Sequence, residues 1–171
     1  MSTVPRLILK NGREKSLLRK HPWIFSGAIE RVVGEPGVGE TLDVVDSAGQ
    51  FLARAAYSPS SQIRARVWTF ASEEAVDSGF FRRRLERALD SRRRLGLLGA
   101  GGACRLVFAE SDGLPGLIVD RYADYVVCQF LSAGADRARD LVSDALMELC
   151  EPRGVFERSE ASVRRKEGLA S

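Results

Sequence analysis

Nucleophilic and metal chemistry have little to work with in this chain. Its only histidine is His21, and its three cysteines, Cys104, Cys128 and Cys150, are widely spaced with no Cys-x-x-Cys among them. A Ser-His-Asp or Cys-His relay would have to be assembled around His21, which stands before Pro22 with no serine or cysteine spaced as its nucleophile. One imidazole and scattered thiols match no zinc-ligand spacing, so no metal is expected. The odd, dispersed set of cysteines also argues against a disulfide framework and for a reducing, cytoplasmic compartment. What the spacing does offer is cation density: residues 1–20 carry Arg6, Lys10, Arg13, Lys15, Arg19 and Lys20 against Glu14 alone. Such a segment is the electrostatic footprint of a phosphate-backbone binder, and it makes His21 a structural or RNA-contacting residue rather than a general base. Charge alone leaves a plain solvated face open as the other reading.

The net charge of +3 conceals this asymmetry. Residues 1–70 hold ten basic and six acidic side chains, and residues 71–171 hold sixteen and seventeen. With 44% hydrophobic and 29% charged residues, the 171-residue chain can pack a core, as one ordinary domain or two small ones. No apolar run approaches the ~20 residues needed to cross a bilayer, and none forms a secretory signal, so no membrane partner is expected.

Three further strings invite a chemical reading. Gly96-Leu97-Leu98-Gly99-Ala100-Gly101-Gly102 has the composition of a nucleotide-binding loop, but that loop needs a strand before it and a helix after it. Here the order is reversed, and a helix-to-strand connection explains the glycines. Glu110-Ser111-Asp112-Gly113-Leu114-Pro115-Gly116 reads as two successive tight turns, with its three polar side chains available as a small acceptor platform. Trp23 and Phe25 fall on one face of an extended segment. Packing in a small barrel core is the commoner fate of such a pair; stacking against unpaired bases is the other.

The elements that must position these residues fall into two halves. Up to about residue 72 the pattern is all-β: Leu7–Leu9, Trp23–Phe25, Ala28–Val33, Thr41–Val45, Phe51–Tyr57 and Ile63–Phe70 are short strands separated by Gly-rich turns, with one or two helical turns at 14–20. That spacing suggests a small barrel. Beyond Ser72, which can cap a helix, Phe80–Leu95 has amphipathic periodicity with Arg82, Arg83, Arg84, Arg87, Arg92, Arg93 and Arg94 on its polar face. Strands at Arg105–Ala109, Leu117–Arg121 and Tyr125–Leu131, a helix at Asp136–Cys150 with Leu141, Ala145 and Leu149 inward, and a strand at Gly154–Glu157 follow. Ser159–Gly168 is polar and basic without a terminating signal, so the chain reads as part of a larger protein.

Several strings together resemble one family. Gly12-Arg13-Glu14-Lys15-Ser16-Leu17-Leu18-Arg19-Lys20-His21-Pro22-Trp23-Ile24-Phe25-Ser26-Gly27-Ala28 is similar to the opening of bacterial 23S ribosomal RNA cytosine methyltransferases of the large-subunit methyltransferase I type. The stretch from Ala53 to Trp68, the Glu110–Gly116 string, Leu131–Ala135, Arg158-Ser159 and Val163–Gly168 match the same family in collinear order. One departure is Ala109, where the family commonly has glycine.

The resemblance implies a mixed α/β (α+β) chain. An N-terminal PUA pseudo-β-barrel over residues 1–72 would bind RNA, and a small α+β domain of strand-strand-helix-strand-strand type would occupy 73–171. A C-terminal domain that binds S-adenosylmethionine and supplies the catalytic cysteine follows in the family. It is absent here, so the chain alone is expected to be inactive, with no cofactor of its own and the missing domain as a partner in cis. The RNA contacts expected are Lys10, Arg13, Lys15, Arg19, Lys20, His21, Trp23 and Arg54, with 23S rRNA as partner. A free-standing PUA-type adaptor, or another RNA-modification enzyme such as a pseudouridine synthase, are the alternatives.

Overall fold

The computed structural model describes residues 4–99 and 101–170. Its first half is one six-stranded sheet made of β1 (Arg6–Leu9), β2 (Trp23–Phe25), β3 (Ile29–Val33), β4 (Thr41–Val45), β5 (Phe51–Tyr57) and β6 (Ile63–Thr69), with a single helical turn, α1 (Lys15–Leu18), between the first two strands. The strand order is β2-β6-β5-β4-β1-β3, antiparallel except for the parallel β1–β4 pair. Local chemistry sets the β4–β5 hairpin: Asp46 Oδ1 accepts from the backbone N–H of Ala48 and Gln50, and Gly49 takes the left-handed φ of +85° that closes the turn. A 3-10 turn, Ser26–Ala28, links the two edge strands. Ser26 N donates to Gln62 O and Ala28 O accepts from Lys10 N, so the sheet curls into a half-barrel closed by this turn. Leu7, Leu9, Leu17, Ile24, Leu42, Val44, Ala53, Ala55, Ala65 and Val67 fill it. The small inward alanines of β5 and β6 leave room for the larger leucines opposite.

The second half opens with α2 (Ser78–Arg94), which buries Phe80, Phe81, Leu85, Ala88 and Leu89. Asp77, not Ser72, caps it: the Asp77 carboxylate accepts from Phe80 N at 2.9 Å. Leu95 lies just past the helix and is exposed. Next come β7 (Ala103–Phe108), β8 (Leu117–Tyr122), β9 (Tyr125–Phe130), α3 (Ala133–Arg137), α4 (Arg139–Cys150), β10 (Gly154–Glu157) and α5 (Ala161–Lys166). The sheet order is β10-β9-β8-β7, with β10 parallel to β9.

The helix expected over Asp136–Cys150 is two helices. Ser132 caps the first by accepting from Ala135 N at 3.2 Å, and Ala138, with ψ near 5°, breaks the run. Leu141, expected inward, is 40% exposed. The buried stripe is Val142, Ala145 and Leu146, with Leu149 partly buried beside it. That i, i+3, i+4, i+7 set tracks the 3.6-residue period better than a bare i+4 series does.

The two halves share a core. Trp68 of β6 stands edge-on to both Phe80 and Phe81 of α2, at ring separations of 6.1 and 5.3 Å. Gly134 packs so tightly on Ala56 and Trp68 that a Cβ there would fall 2.3 Å from the Ala56 methyl. A buried polar lock reinforces the contact. Glu167, just past α5, takes both arms of the Arg66 guanidinium at 2.7 and 2.9 Å, and also accepts from the Ser61 and Ser58 hydroxyls. Burial pushes the Glu167 carboxyl up, but Arg66 and the two hydroxyls outweigh it and hold it below its usual 4.5.

Candidate nucleic-acid interface

The basic segment is held by few contacts of its own. Gly12, at φ +78°, turns the chain after Lys10, and Arg13 N donates to Lys10 O. Helix α1 is anchored through Leu17, which is buried, while Lys15, Arg19 and Lys20 are exposed. The helix ends in a Schellman arrangement: His21 N donates to Ser16 O at 3.0 Å and Lys20 N to Leu17 O at 2.8 Å. The residue that must adopt the left-handed conformation there is Lys20, at φ +62°, a position glycine usually fills.

From that cap the chain enters β2, the edge strand on the β6 side. Ile24 points into the barrel, so Trp23 and Phe25 point out, 36% and 49% exposed. The expected core placement of the pair is therefore corrected: with a period of two, only one face of a three-residue strand can enter the core, and the isoleucine takes it. Outside, the rings form a row. His21 and Trp23 meet edge-on at 5.8 Å, Trp23 and Phe25 at 6.3 Å. His21 Nδ1 also accepts from Trp23 N, which orients the imidazole.

The cations lie on the segment that leads into this row. Lys10 Nζ donates to Gly27 O at 3.1 Å, and Lys20 Nζ lies 4.5 Å over the Phe70 ring. Among the described residues, no carboxylate comes within ion-pair distance of Lys10, Arg13, Lys15, Arg19 or Lys20. Arg54 is placed differently. Its Nε donates to Asp43 at 2.9 Å, and its two terminal nitrogens donate to the backbone oxygens of Glu74 and Ser72. The structure thus brings Lys10, Arg13, Lys15, Arg19, Lys20, His21 and Trp23 together on one segment and leaves Arg54 apart, tying β5 to the start of the second half. Phe25 extends the exposed row, while Phe70 is partly buried against the barrel core beneath the Lys20 ammonium. Strand alternation marks Phe25, and it puts Phe70 at the end of the Ile63–Phe70 strand.

The second half contributes Glu110. Its Oε1 accepts from Trp23 Nε1 at 2.7 Å. It belongs to a 3-10 turn, Ala109–Asp112, where Ala109 carries φ +44° and Gly113 φ +69°. Asp112 fastens that turn by accepting from both arms of Arg92, at 2.5 and 2.8 Å, and from Phe108 N. The left-handed φ at Ala109 gives a physical reason for glycine at that position.

The arginines of α2 are mostly engaged. Arg82 pairs with Glu86 and Glu148, Arg83 and Arg84 with Glu74, Arg92 with Asp112 and Arg93 with Asp90. The glycine run after α2 links helix to strand, the reverse of a dinucleotide loop, and does not fit S-adenosylmethionine. Of the thiols, burial pushes Cys128 up to about 12 and Cys150 upward as well. Among the described residues no three His, Cys, Asp or Glu side chains converge as metal ligands, and no helix is long and apolar enough to cross a membrane.

Comparison with known proteins bears on this geometry. Residues 7–70 match the PUA-like domain family. The chain is 53% identical over 168 residues to the ribosomal RNA large subunit methyltransferase I of Klebsiella pneumoniae, and 57% identical over 167 residues to that of Aeromonas hydrophila. These alignments take in 98% and 95% of the chain but 42% and 41% of the relatives, so the chain spans about two-fifths of the length of the curated relatives it matches. Among solved structures, a putative SAM-dependent methyltransferase from Streptococcus mutans superposes over 90% of this chain and 40% of its own, with a TM-score of 0.76 and 18% identity. A putative methyltransferase complexed with SAH gives 0.77 at 18% identity, over 92% of this chain and 41% of its own. At that identity the likeness is one of fold. On sequence, the chain matches the ribosomal RNA large subunit methyltransferase I family over nearly its whole length, with the PUA-like match confined to residues 7–70.

Proposed function

We propose that this chain is the RNA-recognising part of a cytoplasmic, S-adenosylmethionine-dependent methyltransferase that modifies carbon-5 of a cytosine in 23S rRNA. The observation that carries the RNA-binding half is the run of cations from Lys10 to Lys20, without a carboxylate partner among the described residues, leading into the exposed His21–Trp23–Phe25 row. Cations without carboxylate partners are free to displace counterions from a phosphate backbone, and exposed rings can stack unpaired bases. Lys10, Arg13, Lys15, Arg19 and Lys20 are the phosphate contacts in this reading, with His21 and Trp23 facing the bases.

The methyl-transfer half rests on the relatives' names. Cytosine carbon-5 becomes nucleophilic only after a thiolate adds at carbon-6. The thiols of Cys128 and Cys150, pushed up by burial, are not assigned that step. The target base must also leave its stack, at a cost of a few kcal/mol. A rigid module that supplies affinity and register from the flanking backbone offsets part of that cost. The test is a salt series of binding to a 23S rRNA fragment. With four or five phosphate contacts, log Kd should change by about 3 to 4 per decade of salt. A slope near zero overturns the reading. The intact mass of the protein in its own cells separates the methyltransferase from an adaptor: a product longer by roughly one large domain supports the first.

A further inference from the structure

Glu110 and Asp112 occupy the same turn two residues apart and are used in opposite ways. Asp112 is saturated by the Arg92 fork and Phe108 N. Glu110 gives Oε1 to the Trp23 indole, and among the described residues its Oε2 has no hydrogen-bond partner and its carboxylate no cation. The side chain is half-buried, so this open acceptor sits at the edge of an exposed aromatic ring with part of its hydration already removed. An acceptor-only group beside a stacking surface selects ligands that stack and that carry donors along one edge.

We infer that Trp23 and Glu110 form a reading site for an unpaired guanine, the indole stacking the base and the Glu110 carboxylate accepting from its N1–H and N2–H donors. The inference rests on the RNA-binding reading above. Guanine alone presents two adjacent donors on its Watson–Crick edge. Cytosine and adenine place a ring-nitrogen acceptor beside the amino group, and uracil flanks its single N–H with carbonyls. Those acceptors would face carboxylate oxygen, and that repulsion is where the discrimination arises.

The test uses four labelled pentaribonucleotides, UUGUU, UUAUU, UUCUU and UUUUU, with binding followed by fluorescence anisotropy alongside a 23S rRNA fragment. UUGUU should bind about tenfold more tightly than UUUUU, the discrimination expected of one bidentate contact. Glu110→Gln retains an oxygen for the Trp23 N–H but replaces the outward acceptor with a donor. It should abolish the guanine preference, weakening UUGUU and relieving the repulsion against UUUUU, with the melting temperature unchanged. Should Glu110→Gln fold poorly, Glu110→Asp keeps the charge but shortens its reach, and a reduced guanine preference is expected. Equal binding of all four by the wild type, or Glu110→Gln weakening all four equally, overturns base reading and leaves Glu110 as a residue that positions Trp23. Binding of the rRNA fragment with its salt slope but of no pentamer also overturns the reading site alone. Absence of all RNA binding overturns the reading beneath it.

Discussion

Helix α2 carries Arg82, Arg83, Arg84, Arg92 and Arg93 within reach of Glu148, Glu86, Glu74, Asp112 and Asp90, whereas the Lys10–Lys20 segment carries as many cations and, among the described residues, no carboxylate partner. Along the sequence the helix is the denser of the two. In space it is largely neutralised, and its guanidiniums serve to fasten Glu74, the 109–112 turn and α4. The sparser segment is the one whose charge remains available. Charge counts therefore locate an electrostatic surface only after each cation's partners are accounted for.

The largest expected effect tests that contrast directly. Replacing Arg13, Lys15 and Arg19 with alanine should lower the salt slope of rRNA binding by about 2 to 3, while stability stays within about 0.5 kcal/mol. Replacing Arg82, Arg83 and Arg93 removes the same net charge and should leave the slope unchanged. If both triples lower the slope equally, long-range charge rather than local availability governs binding, and the comparison fails. Arg92→Ala reverses the pattern. It strands Asp112, whose side chain is 11% exposed, and loosens the turn that carries Glu110. A loss of about 2 kcal/mol in urea unfolding is expected, with the salt slope intact.

Much of this was legible beforehand, and the gaps have physical causes. The β-rich first half could be read because alternation and Gly turns act over a few residues, as in Thr41–Tyr57. The cation density of residues 6–20 is likewise local, being set by residue type alone. What escaped were choices settled by distant partners. Arg54, alone among alanines in β5, carries no local sign of the Asp43, Ser72 and Glu74 groups that engage it. The Trp23–Glu110 hydrogen bond spans 87 residues and has no local signature. Trp68 lies on the outward face of β6 yet is buried, because α2 packs there. Ser72 is a good capping residue displaced by a better-placed Asp77.

The contrast also has a pH dependence. Glu167 is fully engaged, and its folded carboxyl is held below the usual 4.5 by Arg66 and the two hydroxyls despite burial. A depressed acid contributes stability that is complete above about pH 4.5 and lost as pH falls through the folded value. Glu167→Gln should therefore cost about 1–2 kcal/mol at pH 7 and progressively less in acid. Denaturation at pH 7 and pH 3 measures the difference; a constant cost at both would mean that the amide's packing, not the ion pair, is at fault.

Lys20 gives the smallest effect and the sharpest version of the comparison, because one residue belongs to both sides of it. Its left-handed φ of +62° strains a non-glycine side chain, and its ammonium over Phe70 returns only part of that cost. Lys20→Gly should raise stability by about 0.5 kcal/mol while lowering the salt slope by about 0.7–0.9. A stabilised protein with weaker rRNA binding would show that the strain is retained for the charge it presents. Unchanged binding would make Lys20 an ordinary strained cap and move the phosphate contacts toward Arg13, Lys15 and Arg19.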